Sequence, residues 1–192
     1  MVTPRQHWAE VAQAHGERTS ADWCVDLLSG VASAGDRNHP AFRALDDDRT
    51  IDGPSPHHYL RRILDGESPD YWIRVWGARG LLYIWDESAS TAVIDGLADD
   101  HWRVREMCAK VCRLRGLAEA GDDLARLLTD DTPRVRLAAI LALSVLGEAE
   151  QAQAVRRLLD DADRKVAAEA DRALDVMSER LDRDLRSADR DL

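Results

Sequence analysis

Residues 127–147 read LLTDDTPRVRLAAILALSVLG, and the arrangement of this stretch decides the fold. After the turn signal TDDTP, apolar residues recur at three- and four-residue intervals, which predicts a helix with a wide apolar stripe. Thr132 stands where a side chain can cap that helix, and Pro133 where the first turn needs no N–H. Gly147 predicts that the helix ends in the left-handed conformation.

The same pattern occurs three times at a spacing of 31 residues. The turns LADD, LTDD and LDDA begin at Leu97, Leu128 and Leu159, and the segments RVR, RVR and KVA follow in register without a gap. A fixed period of this length predicts stacked helical units, none of which buries its apolar face alone. The predicted helix pairs are 89–98 with 102–115, 118–128 with 133–146, and 149–160 with 164–180.

The rest of the chain follows the period less well. A degenerate pair is predicted upstream, at 57–64 and 71–85, so that residues 57–180 form about four helix pairs. Residues 1–56 form an irregular helical N-terminal cap with helices at 4–15 and 21–34, the second opened by Thr19 with Asp22 in a capping-box-like pair. Residues 178–192 extend the last helix, with 181–192 as its charged end.

Composition agrees with an all-α class. The chain of 192 residues is 45% hydrophobic and 32% charged but only 5% aromatic, which suits helices better than sheets. Its net charge of -10 disfavours nonspecific binding to phosphates. The sequence contains neither a secretory leader nor an apolar run long enough to cross a bilayer, so we expect a cytoplasmic protein with no membrane partner.

The motif Leu-Leu-x-Asp-Asp-x-x-x-Val-Arg-x-x-Ala-Ala-x-x-Ala-Leu-x-x-Leu-Gly, clearest at 127–147, resembles the HEAT-like repeat of phycobilin-lyase type. The resemblance implies an α-α superhelix, a HEAT-like solenoid whose Val-Arg helices line the concave side. It also implies a ladder in which a turn Asp pairs with the Arg six residues later. Asp99 would then pair with Arg105 and Asp130 with Arg136, whereas Asp161 would face Ala167 and end the ladder.

HEAT-like repeats share no single activity. The resemblance implies an adaptor for a protein partner, a DNA-binding protein of the alkylbase-glycosylase kind, or an accessory subunit of a chromophore or cofactor lyase. A metal-dependent hydroxylase of this class carries His-Glu pairs, and this sequence has no His-Glu dipeptide. The glycosylase alternative would need an acidic group in the groove, such as Asp175.

No catalytic motif is present in the sequence. Cys108 and Cys112 align with Ala139 and Leu143 in the repeat, which favours core packing over metal binding. The histidines His57, His58 and His101 begin helices, and turn or capping roles are the favoured interpretation. We expect no catalytic residue, no metal and no cofactor.

The concave face offers the best candidate site. Helical phase places sixteen side chains outward there, among them Val75, Glu106, Ser144 and Asp175. The residues expected to bind a partner are Trp72, Arg79, Arg103, Lys110, Arg134, Leu137, Leu141, Lys165 and Arg172. Arginine beside apolar and aromatic anchors is the composition of a binding hot spot. A solvated helix face that carries incidental arginines is the alternative interpretation.

Four of the six tryptophans lie within 72–102. For Trp76 and Trp85, which are on the core phase, packing at the junction with the N-terminal cap is favoured over a ligand pocket. Trp72 is not on that phase. The predicted function is a non-enzymatic scaffold whose basic and apolar groove binds an acidic or amphipathic segment of a protein partner, and nucleic-acid binding is the first alternative.

Overall fold

A computed structural model describes the chain at residues 3–33, 39–42, 62–63, 65–67 and 69–186. Over these residues the chain consists of helices and turns, and no strand occurs among them. The predicted all-α class is therefore confirmed. The chain forms two compact units, Met1–Gly96 and Leu97–Leu192.

Some sequence expectations lie outside the described residues. Of the helix predicted at 57–64, only residues 62 and 63 are described, and the adjacent histidines His57 and His58 are not. The last residues of the charged end, 187–192, are also outside the description.

The helices of the first unit are α1 (Pro4–His15), α2 (Glu17–Leu28), α3 (Tyr71–Gly80) and α4 (Ser90–Asp95). A 3-10 turn at Glu87–Ala89 precedes α4. The predicted bounds of α1 are confirmed, and its start is stabilised by a capping box in which the Thr3 hydroxyl accepts from the Gln6 N–H.

The prediction that α2 starts after Thr19 is wrong. Gly16 has a φ of 87°, a conformation that favours glycine, and the chain turns there so that α2 begins at Glu17. Ser20 supports this start, because its hydroxyl donates to the Gly16 carbonyl at 2.8 Å. Thr19 thus lies inside α2 and does not start it. The helix ends at Leu28, before the predicted residue 34.

Two glycines let α3 approach α2 closely. A Cβ atom on Gly77 would lie 2.5 Å from the Cys24 carbonyl oxygen, and one on Gly80 would lie 2.5 Å from the Cys24 sulfur. The predicted helix at 71–85 is shorter than expected, since it ends at Gly80. Residues 81–84 form turns, with the Tyr83 N–H donating to the Gly80 carbonyl at 2.9 Å.

The second unit contains the regular repeat. Its helices are α5 (Trp102–Arg115), α6 (Gly121–Leu127), α7 (Pro133–Leu146), α8 (Ala149–Arg156) and α9 (Arg164–Leu181). The predicted bounds 102–115 and 133–146 are confirmed. The shorter helices are extended by 3-10 turns at Ala118–Ala120 and Arg157–Asp160, so that the short helices predicted at 118–128 and 149–160 are each part α-helix and part 3-10 helix.

The long helices of this unit pack side by side in the order α5, α7, α9. The short helix α6 packs on α7, and α8 packs on α6 and α9. Apolar side chains from both sets of helices are fully buried between them, among them Val104, Val111, Leu124, Leu128, Val135, Leu143, Val166 and Leu174. The apolar stripes predicted from the sequence thus form one core among the helices of the second unit.

The ends of two helices differ from expectation. Gly147 is extended, with φ of -72° and ψ of 149°, so the predicted left-handed end is wrong there. From Gly147 the chain runs directly into Glu148, which forms a capping box with Gln151 and starts α8. Gly116, which follows α5, does adopt the left-handed conformation, with φ of 74° and ψ of 32°. Thr132 occupies the N-cap position but its side chain makes no capping hydrogen bond.

The last helix does not extend through the charged end. Asp182 adopts the left-handed conformation with φ of 51°, and α9 ends at Leu181. The chain then folds back, so that Leu185 is buried and its carbonyl accepts from Arg156 Nε of α8 at 3.0 Å. Arg186 donates to the carboxylates of Asp171 and Asp175 on α9. These contacts explain why residues 182–186 leave the helix.

Candidate partner-binding face

One face of the second unit is formed by the solvent-exposed sides of α5, α7 and α9, and we call it the inner face. Arg134 of α7 reaches α5, where its NH2 group donates to Glu106 Oε1 at 3.0 Å. Lys110 Nζ donates to the same oxygen at 2.7 Å. The structure therefore brings the predicted residues Lys110 and Arg134 together around one carboxylate.

Trp102 adds an aromatic ring to this face. The guanidinium carbon of Arg103 lies 4.4 Å from the centroid of the Trp102 ring, and that of Arg134 lies 5.4 Å from it. Both distances are within the range of a cation–π interaction. Sequence reasoning assigned Trp102 to the tryptophan cluster. Its place next to Arg103, at the start of a repeat helix, was the signal that links it to the inner face.

The inner face is less basic than its sequence suggests. Glu106, predicted to point outward, is only 7% exposed. It forms ion pairs with Lys110 and Arg134, and its negative charge offsets part of theirs. Ser144 and Val75 are also buried, which corrects their predicted outward positions. Glu106 is buried because Arg134 spans the space between α5 and α7 and covers it. The Ser144 hydroxyl donates back to the Leu141 carbonyl within its own helix.

The other predicted residues of the second unit differ in exposure. Leu137 and Leu141 are half-buried on α7, while Lys165 and Arg172 are exposed on α9. Arg172 Nε donates to Glu169 one turn earlier at 3.1 Å. Among the exposed cations of this face, Lys110, Arg134 and Arg172 form ion pairs with carboxylates of the second unit. Lys165 is exposed at the start of α9.

Trp72 and Arg79 lie on α3 of the first unit, and both are half-buried. The Trp72 ring stacks on that of Trp76, with centroids 6.4 Å apart and planes inclined by 28°. Trp76 itself is buried, in agreement with its core phase, while Trp85 is half-buried and donates from Nε1 to Glu87 at 3.1 Å.

The aspartate–arginine ladder links neighbouring repeats, which differs from the pairing expected within one repeat. Arg105 Nε donates to the Asp130 carboxylate at 2.7 Å, and its NH1 group donates to the main-chain carbonyl of Asp99 at 2.8 Å. Arg136 repeats this geometry with the Asp161 carboxylate and the Asp130 carbonyl. The ladder therefore includes Asp161, which pairs with Arg136 of the preceding repeat and does not face Ala167 as the resemblance implied.

The cysteine interpretation is confirmed. Cys108 and Cys112 are fully buried, and burial raises the pKa of both thiols, that of Cys112 to about 12. Burial likewise raises the pKa of Cys24 in the first unit. His101 caps α5 as expected, since its Nδ1 accepts from the Arg103 N–H at 3.3 Å. Within the described residues no three His, Cys, Asp or Glu side chains converge as a metal site would require.

Asp175 is the acidic group that a glycosylase-like groove would need. Its carboxylate accepts from Arg186 Nε at 2.6 Å, and this hydrogen bond lowers its pKa. The guanidinium of Arg186 also bonds Asp171. Asp175 is therefore engaged by the returning C-terminal segment.

Residues 90–175 match the family model described as HEAT repeats. This part of the chain is similar to HEAT repeats. The match covers the 31-residue pattern and supports the helical-repeat fold, and HEAT repeats are commonly protein-interaction scaffolds. No curated protein matches the sequence. None of the helices described in the structure has the length and apolar character to cross a membrane.

Proposed function

We propose that this HEAT-like protein is a non-enzymatic scaffold whose inner face binds an acidic or amphipathic segment of a protein partner. The observation that carries the proposal is the arrangement of Arg103 and Arg134 over the ring of Trp102. Tryptophan and arginine dominate the hot spots of protein interfaces, where they combine a large contact area with directed hydrogen bonds.

The Arg134 guanidinium is held in place but remains accessible. Its side chain is 64% exposed, although two of its nitrogens contact Glu106. A side chain that is already ordered loses less conformational entropy when a partner binds. An acidic group of a partner can therefore approach Arg134 from solvent without a rearrangement of α5 or α7.

Charge supports an acidic rather than a basic partner. The whole chain carries a net charge of -10, yet Arg103, Lys110, Arg134, Lys165 and Arg172 lie on one face of three adjacent helices. Glu106 and Glu169 offset two of these five positive charges. A local positive field in an acidic protein directs acidic segments to this face and raises the association rate.

Selection from a random peptide library displayed on phage tests the proposal. We expect the full-length protein to enrich peptides with net negative charge, and we expect Arg103→Gln with Arg134→Gln to abolish that enrichment. The variant Lys165→Glu changes an exposed side chain and reports on the same face without removing a partner from Glu106. The matched control is Arg126→Gln with Arg157→Gln, which alters two exposed arginines of the short helices.

Three outcomes would overturn the proposal. They are enrichment of basic peptides, failure to enrich any peptide, and equal enrichment by the double variant at Arg103 and Arg134. Fluorescence anisotropy with a labelled DNA oligonucleotide tests the nucleic-acid alternative. Tight binding at low salt that weakens steeply as salt rises would favour that alternative.

A further inference from the structure

Three exposed apolar side chains recur at the period of the repeat in the second unit. Leu114, Val145 and Val176 are 31 residues apart and are 57%, 40% and 44% exposed. They lie toward the C-terminal ends of α5, α7 and α9, at equivalent positions of helices that pack side by side. We call these three side chains the apolar row. The same position of the first unit holds Tyr83, which is 37% exposed.

The apolar row has a cationic border on the inner face. One helical turn toward the N-terminal ends, the equivalent positions are occupied by Lys110, Leu141 and Arg172. A separation of four residues corresponds to about 6 Å along each helix. The Lys110 and Arg172 side chains are 45% and 64% exposed. Each of these cations pairs with a carboxylate of its own helix, Lys110 with Glu106 and Arg172 with Glu169, and each keeps a solvent-exposed side beside the row.

We propose that the apolar row binds the apolar stripe of an acidic amphipathic α-helix in the protein partner. This inference rests on the proposed function and specifies the form of the bound segment. Neighbouring packed helices are roughly 8–10 Å apart, so the row offers one apolar side chain at each such step. In an α-helix, residues seven apart lie on one face and are separated by about 10.5 Å. A helix of about 15 residues with apolar side chains at i, i+7 and i+14 spans the row.

An extended segment fits the row poorly. In a strand, side chains on one face repeat at every second residue, about 6.6 Å, and the side chain three residues on points to the opposite face. The spacing of packed helices, roughly 8–10 Å, therefore falls between one same-face side chain of a strand and the next. Acidic residues along one flank of the apolar stripe of a bound helix lie toward Lys110 and Arg172.

A second copy of the chain is a weaker candidate for this surface. A standard interface buries roughly 800 Å² on each partner. Three partly exposed aliphatic side chains provide only a fraction of that area. A partner helix gains the remaining affinity from its acidic flank, which can contact the exposed sides of Lys110 and Arg172.

Binding of a designed peptide tests this inference. The probe is a fluorescein-labelled helical peptide with leucine at i, i+7 and i+14 and glutamates along one flank, and its partner probe has the same composition in shuffled order. We expect the full-length protein to bind the first peptide more tightly than the second. Leu114→Gln with Val145→Thr and Val176→Thr should weaken binding of the first peptide about tenfold.

The control variant is Val31→Thr, which changes an exposed valine outside the repeat register, where the side chain is 68% exposed. It should bind like the parent protein. Circular dichroism checks folding, and if the triple variant melts early, Val145→Thr alone should weaken binding about threefold. The inference is overturned if the parent protein does not bind the peptide. It is also overturned if Val145→Thr and the triple variant both bind the peptide as tightly as the parent does.

Two further comparisons separate the possible explanations. If the triple variant keeps its affinity while Arg103→Gln with Arg134→Gln loses it, the apolar row is not the site and the proposed function stands. If the Arg103 and Arg134 changes have no effect while the triple variant loses affinity, the row binds a helix and the proposed role of those arginines fails. A parent dimer in light scattering that the triple variant lacks would assign the row to a second copy and overturn the inference.

Discussion

Arg136 and Asp161 form a two-pronged ion pair that ties α7 to the turn before α9. Arg136 Nε and NH2 donate to the two carboxylate oxygens of Asp161 at 2.8 and 2.7 Å, and both side chains are largely buried. The third nitrogen, NH1, donates to the main-chain carbonyl of Asp130 at 2.7 Å. Arg136 thereby joins two successive turns of the repeat, and Arg105 joins the preceding turns in the same way.

Loss of the Arg136 guanidinium should destabilise the second unit. We expect Arg136→Ala to lower the free energy of unfolding by about 3 kcal/mol, because the Asp161 carboxylate and the Asp130 carbonyl both lose a buried donor. Arg126→Ala is the control, since Arg126 pairs with Asp123 on the surface and its loss should cost at most about 1 kcal/mol. Urea unfolding followed by circular dichroism measures both, and equal losses would contradict the ladder's role.

The same ion pair should give the protein an acid-dependent stability. The hydrogen bonds from Arg136 lower the pKa of Asp161 below its ordinary value of 3.8. A carboxylate with a lowered folded pKa stabilises the fold above the unfolded pKa, and this contribution disappears as the pH falls through the folded value. The stability difference between the parent protein and Asp161→Asn should therefore be greatest at neutral pH and shrink below pH 3.8.

Urea unfolding at a series of pH values measures that difference. Asp160→Asn is the matched control, because Asp160 is the exposed neighbour of Asp161 and its change should alter stability at neutral pH by no more than about 0.5 kcal/mol. A difference for Asp161→Asn that stays constant down to acid pH would show that its carboxylate charge does not stabilise the repeat.

The ladder also shows what the period of the sequence can and cannot determine. Asp130 precedes Arg136 by 6 residues and follows Arg105 by 25, and these separations add up to the repeat length of 31. A periodic sequence is therefore equally consistent with pairing within a repeat and between repeats. Packing decides the matter, because the arginine of one repeat extends to the turn of the next while its own turn supplies main-chain carbonyls.

Helix bounds were predictable where local signals and the period agreed. Pro133 and the apolar spacing after it placed α7 correctly, whereas Thr19 and Asp22 imitated a helix start inside α2. On the inner face, helical phase identified Arg134 as outward-facing. It could not show that Glu106 would be covered by Arg134, because that contact depends on how closely α5 and α7 pack.

The cysteines should be unreactive in the folded protein. Cys24, Cys108 and Cys112 are all buried, and burial raises the pKa of each thiol, so that thiolate is scarce at neutral pH. We expect an aromatic disulfide reagent to modify no thiol rapidly in the native state and all three once urea unfolds the chain. Rapid modification of one thiol in the folded protein would place that cysteine at an accessible surface.

The approach of α3 to α2 in the first unit should depend on the absence of a side chain at residue 77. We expect Gly77→Ala to destabilise that unit by about 3 kcal/mol, because its Cβ would lie 2.5 Å from the Cys24 carbonyl oxygen and 2.6 Å from the Leu28 nitrogen. Backbone atoms cannot move aside without separating the helices. Gly121→Ala is the matched control in α6, where the nearest neighbour of the new Cβ is Gln151 Nε2 at 3.6 Å. Since alanine favours a helix over glycine, this control should raise stability by up to about 1 kcal/mol. Thermal unfolding of the two variants measures both effects, and a Gly77→Ala protein as stable as its parent would mean that α2 and α3 are not in close contact at this position.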